Sequence, residues 1–261
     1  MRRPGVVLAL LVLAATVVCA AVPDLVAAAR PDAVDPFGAL RPPGADHLFG
    51  TDQLGRDLFA RVVHGTRRTV LVAGSACVAS LLIGSLVGVV SGMLGGWLDA
   101  LLMRAVDVLL AFPALLLSLT VIGVLGSSPV NVAVAVAVAG VAPYCRVVRA
   151  QVLHVRTRPF VAAATVSGVR PVAVLLRHIV PNAAGPVLVL ALMSLGVALL
   201  AASSLSFLGF GPHPPDADWG SLAASGRDYV GTAWWLTAFP GAVVVAVVSA
   251  VTAVHRAVTR R

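Results

Sequence analysis

The chain has 261 residues, of which 59% are hydrophobic and only 11% are charged, and its formal net charge is +8. Soluble domains carry about a quarter charged residues, so this composition excludes an ordinary soluble fold and indicates that lipid surrounds most of the chain. All 19 basic side chains are arginine, and the absence of lysine excludes a P-loop ATPase site and Schiff-base chemistry. If ATP drives this protein, another chain must hydrolyse it.

Six apolar runs are long enough to cross about 30 Å of hydrocarbon, at residues 5–29, 70–94, 101–125, 129–148, 184–208 and 233–254. The first follows Arg2 and Arg3, as a signal peptide would, but five further runs favour a retained membrane helix. The fourth alternates like a β-strand, yet a lone strand cannot satisfy its backbone in lipid, so a helix is predicted. The sequence therefore predicts an all-α, polytopic membrane bundle of about six transmembrane helices.

Six spans place both termini on one side of the membrane. That side carries twelve of the arginines and the opposite side seven, so the positive-inside rule favours cytoplasmic termini. The same bias explains the positive net charge better than a nucleic-acid partner does. We divide the chain into a first helix with an outer-side segment, a five-helix core and a cytoplasmic tail, at residues 1–69, 70–257 and 258–261, with a cytoplasmic loop at 149–183.

A polar cluster precedes the second apolar run, and its members are Gly50, Asp52, Gly55, Arg56 and Asp57. It could be taken for a group of catalytic acids or a metal loop, but two carboxylates supply too few oxygens for calcium. A structural role is favoured, in which Asp52 caps the following helix and Arg56 or Asp57 pairs with a neighbour. We predict no catalytic and no metal-binding residue here.

Two charged residues, Arg104 and Asp107, stand three positions apart on one face of the third predicted span. Charges within a membrane are costly and usually face each other or a cavity. The pair therefore predicts either an ion pair near the inner interface or an element of the solute pathway or its gate. Pro113 can kink the same helix, which suits a moving pore.

The cytoplasmic loop contains the stretch FVAAATVSGVRPVAVLLRHIVPN at residues 160–182. Pro159 is well placed at a helix start, and Gly168 permits a left-handed cap and a change of direction. Pro171 begins a second helix, and Pro181 marks a bend into the fifth span. We predict two short surface helices, which either form a passive interfacial connector or dock into a groove of another protein.

Isolated histidines and cysteines offer weaker signals. His178 has no carboxylate near it in the loop, so a structural role or a contact with another protein is favoured over acid–base chemistry. His64 and His213 are interpreted as lone outer-side residues, with a nickel-ligand role as the alternative. The three cysteines are widely spaced without a CxxC pair, which indicates buried apolar packing.

The loop resembles the EAA loop of ABC-importer permeases, in which EAA is followed by three residues, a glycine, nine residues and a hydrophobic-x-hydrophobic-proline ending. The pattern falls here on Ala162, Ala163, Ala164, Gly168 and the run from His178 to Pro181. The chain departs from it at Ala162, which stands where the family has glutamate. With Phe160, these residues form the ATPase-coupling site that the resemblance implies.

Three other stretches, together with WWLTAFPG at 234–241, resemble segments of the dipeptide/oligopeptide/nickel permease family. They are HLFGTDQLGRDLFARVVHGTRRTVLV at 47–72, GGWLDALLMRAVDVLLAFPALLLSL at 95–119 and SLSFLGFGPHPPDADWGSLAASGRDYV at 204–230. The subunit resembled is the second, shorter permease. The C-terminal VTAVHRAVTRR departs from the family's usual LGDxLRD ending.

The resemblance implies a plasma-membrane permease of the type I ABC importer fold that forms half of a pore and catalyses no reaction. Its solutes would be short peptides, similar small molecules or nickel. Its partners would be the lipid bilayer, a second homologous permease, ABC ATPase subunits that bind ATP and Mg, and an extracytoplasmic solute-binding protein. This chain itself would hold no cofactor.

A self-sufficient secondary transporter or an integral membrane enzyme is the alternative. A proton-coupled carrier would place acids deep in several spans, and a membrane enzyme would show paired acids or a metal cluster. The predicted spans carry almost no acid beyond Asp107. The importer permease is therefore the favoured interpretation.

Overall fold

The computed structural model describes residues 4–259, which form eleven α-helices without a β-strand in that range. The helices are α1 Pro4–Ala21, α2 Pro23–Val26, α3 Leu58–Leu94, α4 Gly96–Ala111, α5 Ala114–Leu125, α6 Pro129–Arg156, α7 Pro159–Val166, α8 Pro171–Val174, α9 Val180–Leu205, α10 Trp219–Ser225 and α11 Trp235–Thr259. Wide, π-type turns at Leu175–Ile179 and Ser206–Phe210 flank α9. Arg2, Arg3, Arg260 and Arg261, which entered the topology prediction, lie outside the described residues.

Helices α3 and α6 run parallel and pack closely through a row of glycines. A Cβ added at Gly84 would lie 2.5 Å from Tyr144, and one added at Gly88 would lie 2.8 Å from Val148. Further along, a Cβ at Gly92 would lie 2.8 Å from Val152. Positions increase together on both helices, so both end at the same end of the bundle. We call it the loop end, because α7 follows α6 there.

Because α3 and α6 run in the same direction, the chain must cross back between them, and the bent pair α4–α5 provides that crossing. Five helices are long and apolar enough to cross a membrane singly, and this pair makes up to six. Its two helices meet at 96° across Phe112 and Pro113. The predicted kink at Pro113 is confirmed in place, but it is a full break between two helices and the span begins at Gly96 rather than at 101. The chain leaves helical geometry at Phe112, which precedes a proline.

Both ends of the described chain lie at the loop end. Gly5 and Val6 of α1 lie beside residues 248–257 of α11. The ring of His255 is 3.1 Å from the carbonyl oxygen of Val189, in the half of α9 nearer α7. This placement agrees with an even number of crossings and confirms the predicted all-α membrane bundle.

The bounds of α1 and α3 differ from those of the predicted apolar runs. The first run was predicted to reach residue 29, but α1 ends at Ala21, just before Pro23. Helix α3 begins at Leu58 rather than at residue 70, so it continues across the proposed division at 69. Its first turns carry Arg61, which is buried by tertiary contacts that hydropathy cannot register.

The glycine row yields a stability prediction. Replacing Gly88 with alanine should lower the free energy of unfolding by about 1–3 kcal/mol, the usual cost of overpacking, because the new methyl group would lie 2.8 Å from both Val148 Cβ and the Cys145 carbonyl oxygen. Gly74→Ala on the same helix is the matched control, since nothing lies within 4 Å of its added Cβ. Thermal unfolding of the detergent-purified protein measures both, and equal effects would contradict the close packing.

Candidate functional site

The surface loop has the predicted start and the predicted left-handed cap. Pro159 lies in the first turn of α7, and Gly168 follows its end with φ +77°. The Gly168 N–H donates to Thr165 O at 3.1 Å, and the Val169 N–H donates to Ala164 O at 3.2 Å. These two bonds form a Schellman cap, which closes the helix and redirects the chain.

The second half of the loop is not a separate short helix. The chain is helical from Pro171 to Leu205, because α8 passes without a break through the wide turn at Leu175–Ile179 into α9. The predicted bend at Pro181 is therefore wrong. The reason lies in the wide turn just before it, where the Val180 N–H already reaches back to Leu175 O, so the helix accommodates a residue without an N–H donor.

The loop presents small and apolar side chains outward and is anchored by the buried Val161 and Val174. Val161 packs with Val155 of α6 and Val174 of α8 in a buried cluster. The outward-facing residues of the coupling site are Phe160, Ala162, Ala163 and Gly168, whereas Ala164 and His178 are half-buried. Val166 is 89% exposed beside them. An exposed apolar patch on a rigid support is typical of a docking surface.

His178 and Pro181 lie on the α9 side of the loop. The His178 ring centroid is 6.4 Å from that of Phe160. No salt bridge involving His178 occurs within residues 4–259. Pro181 is exposed in the first turn of α9. The structure thus brings both ends of the predicted coupling site together, with the rings of Phe160 and His178 tilted beside each other.

A cavity of about 490 Å³ lies between α3, α5, α6 and α9. Its lining contains no charged side chain, and its polar groups are those of Cys77, Ser80, Ser118, Tyr144, Ser194 and Ser204. Ser80 Oγ donates to Ala137 O at 2.9 Å, and Ser118 Oγ donates to Ala135 O at 3.2 Å. The sequence alone did not identify this cavity, because single serines in apolar runs also serve close helix packing.

The predicted pathway residues Arg104, Asp107 and Pro113 do not line this cavity. The expected Arg104–Asp107 pair is wrong, because Asp107 instead accepts a 2.6 Å bond from Arg146 of α6. Both partners of that pair are more than half exposed. Pro113 contributes indirectly. It forms the break between α4 and α5 together with Phe112, and this break places Ala114 and Leu115 in the cavity wall.

A more buried ion pair joins the same two helices at the loop end. Arg149 of α6 donates from Nε and Nη2 to the two carboxylate oxygens of Asp99, each at 2.6 Å. Ser91 of α3 also donates to Asp99. Farther along α6, Arg156 donates to the Gly92 carbonyl oxygen at 2.8 Å. Sequence reasoning passed over Asp99, although a lone carboxylate two residues before the third apolar run was an available signal.

The polar cluster before α3 lies at the opposite end of the bundle, which we call the cap end. Asp52 is fully buried and accepts bonds from Arg56 Nε at 2.7 Å and Arg61 Nη1 at 2.6 Å. The predicted capping role of Asp52 is wrong, because Asp57 is the N-cap and accepts from the Ala60 N–H at 2.7 Å. Asp57 also pairs with His47 at 2.8 Å.

The two glycines of this cluster hold close backbone contacts. Gly50 and Gly55 have φ of +75° and +73°. A Cβ at Gly50 would lie 2.6 Å from Arg41 O, and one at Gly55 would collide with Asp35 O. The cluster therefore packs one loop against another, which is a structural arrangement. Within residues 4–259, no three His, Cys, Asp or Glu side chains are grouped as metal ligands.

Residues of the segment 204–230 and of the start of α11 close the cap end. Trp219 is buried and donates from Nε1 to Val62 O at 3.1 Å. Arg68 pairs with Asp216 at 2.6 Å. Trp235 donates from Nε1 to Thr51 O at 3.3 Å, which ties α11 to the polar cluster. Hydrogen bonds and ion pairs thus join the segments of the cap end to one another, in contrast to the exposed loop at the other end.

A membrane bundle with a central uncharged cavity and an exposed, rigidly supported loop agrees with the transport permease that the sequence predicts. Residues 84–261 match the family described as "Binding-protein-dependent transport system inner membrane component". The chain belongs to this family, and it is a membrane-embedded transport permease.

Two curated relatives are similar over most of this chain. A probable D,D-dipeptide transport system permease protein of Escherichia coli is 41% identical over 82% of this chain and 72% of the relative. A dipeptide transport system permease protein of Alkalihalophilus pseudofirmus is 37% identical, over 79% of this chain and 68% of that protein.

A solved structure titled as a crystal structure of an amino acid ABC transporter with histidines is similar in fold. It has a TM-score of 0.59 and 16% identity, covering 78% of this chain and 92% of the other. At this identity the likeness supports the fold alone.

Proposed function

We propose that the chain forms half of the translocation pore of an ATP-binding cassette importer of short peptides. The observation that carries the coupling role is the exposed loop, whose helix α7 is anchored to α6 through Val161 and is closed by the cap at Gly168. This gives a docking surface that cannot move without moving a membrane helix. The family and the dipeptide named for its relatives support the peptide importer assignment.

ATP and Mg would be bound by partner ATPase subunits, because this chain contains no lysine for a P-loop. We place the loop end in the cytoplasm, where those subunits would dock on Ala162, Ala163 and Gly168. The excess of arginines predicted for this side supports that orientation. A solute-binding protein would meet the cap end, and a second homologous permease would complete the pore.

The transport cycle follows alternating access. Closure of the ATPase subunits would shift the docked loop, and the continuous α8–α9 segment would carry that shift to the cavity wall, where Ser194 and Ser204 lie. The cavity has no charged lining, so it holds a solute by shape and weak polar contacts and releases it readily. Selection would rest largely with the binding protein.

The test is reconstitution of the whole transporter in vesicles. The chain is co-expressed with the proteins encoded by its neighbouring genes, among which we expect a second permease, a P-loop ATPase and a binding protein. Radiolabelled L-alanyl-L-alanine is the probe. We expect co-purification and uptake that requires both ATP and the binding protein. Uptake by this chain alone under a proton gradient would instead support the secondary transporter, and ATP-driven uptake of Ni²⁺ without dipeptide uptake would overturn the peptide assignment.

A further inference from the structure

We propose that the Asp99–Arg149 ion pair is a positioning contact that transmits displacement of the loop to the cavity wall through α4 and α5. The inference rests on the proposed function and deepens it. The pair is bidentate, with two 2.6 Å bonds, and Ser91 provides a third bond to the carboxylate. A planar guanidinium held at both carboxylate oxygens fixes the relative orientation of two helices, and not only their separation.

On one side, Arg149 belongs to the segment that moves with the loop. Helix α6 is continuous to Arg156, and only two residues separate it from α7. The buried cluster of Val152, Val155, Val161 and Val174 packs the end of α6 against both halves of the loop. A force on α7 must therefore displace the end of α6, because close-packed interiors deform little.

On the other side, Asp99 belongs to the helix that leads to the cavity. It lies in the first turn of α4, which follows the left-handed corner at Gly95 and Gly96. Helix α4 ends at the 96° break, beyond which α5 begins with cavity-lining residues Ala114, Leu115 and Ser118. Rotation of α4 about its corner would thus move the start of α5.

The same two helices offer a second ion pair for comparison. Arg146 and Asp107 form a single 2.6 Å bond with side chains 56% and 53% exposed. Arg149 and Asp99 are 31% and 19% exposed. Exposed pairs with one bond hold geometry weakly, whereas a shielded bidentate pair holds it well. The geometry therefore assigns the transmission of motion between α4 and α6 to Asp99–Arg149 rather than to Asp107–Arg146.

The experiment compares matched variants in the complete reconstituted transporter. Asp99→Asn keeps the side-chain shape but removes the charge, and Asp107→Asn is the same change at the exposed pair. The measured quantity is ATP hydrolysed per L-alanyl-L-alanine accumulated, normalised to the amount of assembled complex. We expect Asp99→Asn to raise this ratio roughly tenfold, in the range of coupling between linked sites, while hydrolysis stimulated by the binding protein persists. Asp107→Asn should change it less than about twofold.

A different result is expected if the Asp99–Arg149 pair only stabilises the fold. Assembled complex would decline in Asp99→Asn while the ratio of ATP to dipeptide stayed at the wild-type value, and that result overturns the inference. Equal ratios in the two variants overturn it as well. Asp99→Glu, which restores the carboxylate on a longer arm, should recover part of the coupling. If the wild-type complex takes up no dipeptide with ATP, the proposed function fails and this inference falls with it; failure of the variants alone leaves the proposed function standing.

Discussion

Replacing Gly168 with valine should reduce dipeptide uptake by at least about tenfold while the protein still inserts into the membrane. Gly168 has φ +77°, a conformation that costs a residue with a Cβ roughly 1–2 kcal/mol and is hardest for a β-branched one. Nothing lies within 4 Å of an added Cβ, so the chain's own packing does not clash. The loss should therefore arise at the corner of the docking surface, and uptake per unit of membrane-inserted protein measures it.

Two further variants separate the effect of backbone strain at Gly168 from the effect of an added side chain on the docking surface. Asparagine tolerates left-handed geometry, so Gly168→Asn preserves the cap and tests only the added side chain. Ser167→Val places a valine one position earlier, where φ is an ordinary −71°. We expect Ser167→Val to retain much more uptake than Gly168→Val. Near-normal uptake by Gly168→Val would show that this corner is not part of the coupling contact.

The features of the loop that the sequence predicted are those with local causes. Pro159 at a helix start and Gly168 at a left-handed cap each act within a few residues, so a single sequence suffices to place them. The continuity of α8 and α9 was missed because it depends on a wide turn before Pro181. The amino-acid sequence alone does not distinguish a proline that bends a helix from one that a wide turn accommodates.

Partners across helices could not be predicted, since sequence spacing reports only contacts along one helix. Arg104 and Asp107 share a helix face, yet Asp107 pairs with Arg146, which is distant in sequence. The central cavity is similar in this respect, because its hydroxyl groups come from four helices. The number of crossings was predictable, because bilayer thickness fixes the length of an apolar run.

The N-cap of α3 is Asp57 rather than Asp52 for a related reason, whereas the predicted pairing of Arg56 or Asp57 with a neighbour is confirmed. An N-cap is the residue immediately before a helix, so its identity depends on where the helix begins. Hydropathy placed that start at residue 70, whereas α3 begins at Leu58 and carries the buried Arg61 in its first turns. With this start Asp57 is the cap, and Asp52 becomes a buried counter-ion for Arg56 and Arg61.

Asp52→Ala should be among the most destabilising single changes at the cap end. The Asp52 side chain is 1% exposed and carries ion pairs to two guanidinium groups that are themselves buried. Its removal leaves two uncompensated charges away from water, for which a cost of about 3–5 kcal/mol is typical. It also frees the N–H groups of Leu54 and Arg56. Thermal or chemical unfolding of the detergent-purified protein should show this loss.

Asp57→Ala provides the matched control at the N-cap of α3. Loss of a cap costs about 0.5–2 kcal/mol, and the paired His47 is part-exposed, so its effect should be clearly smaller. Adding Arg56→Met and Arg61→Met to Asp52→Ala removes the stranded charges and should recover part of the lost stability, because apolar replacement of a whole buried ion cluster is often tolerated. If the triple variant is less stable than Asp52→Ala alone, hydrogen bonding by the arginines rather than charge compensation sustains the cap end.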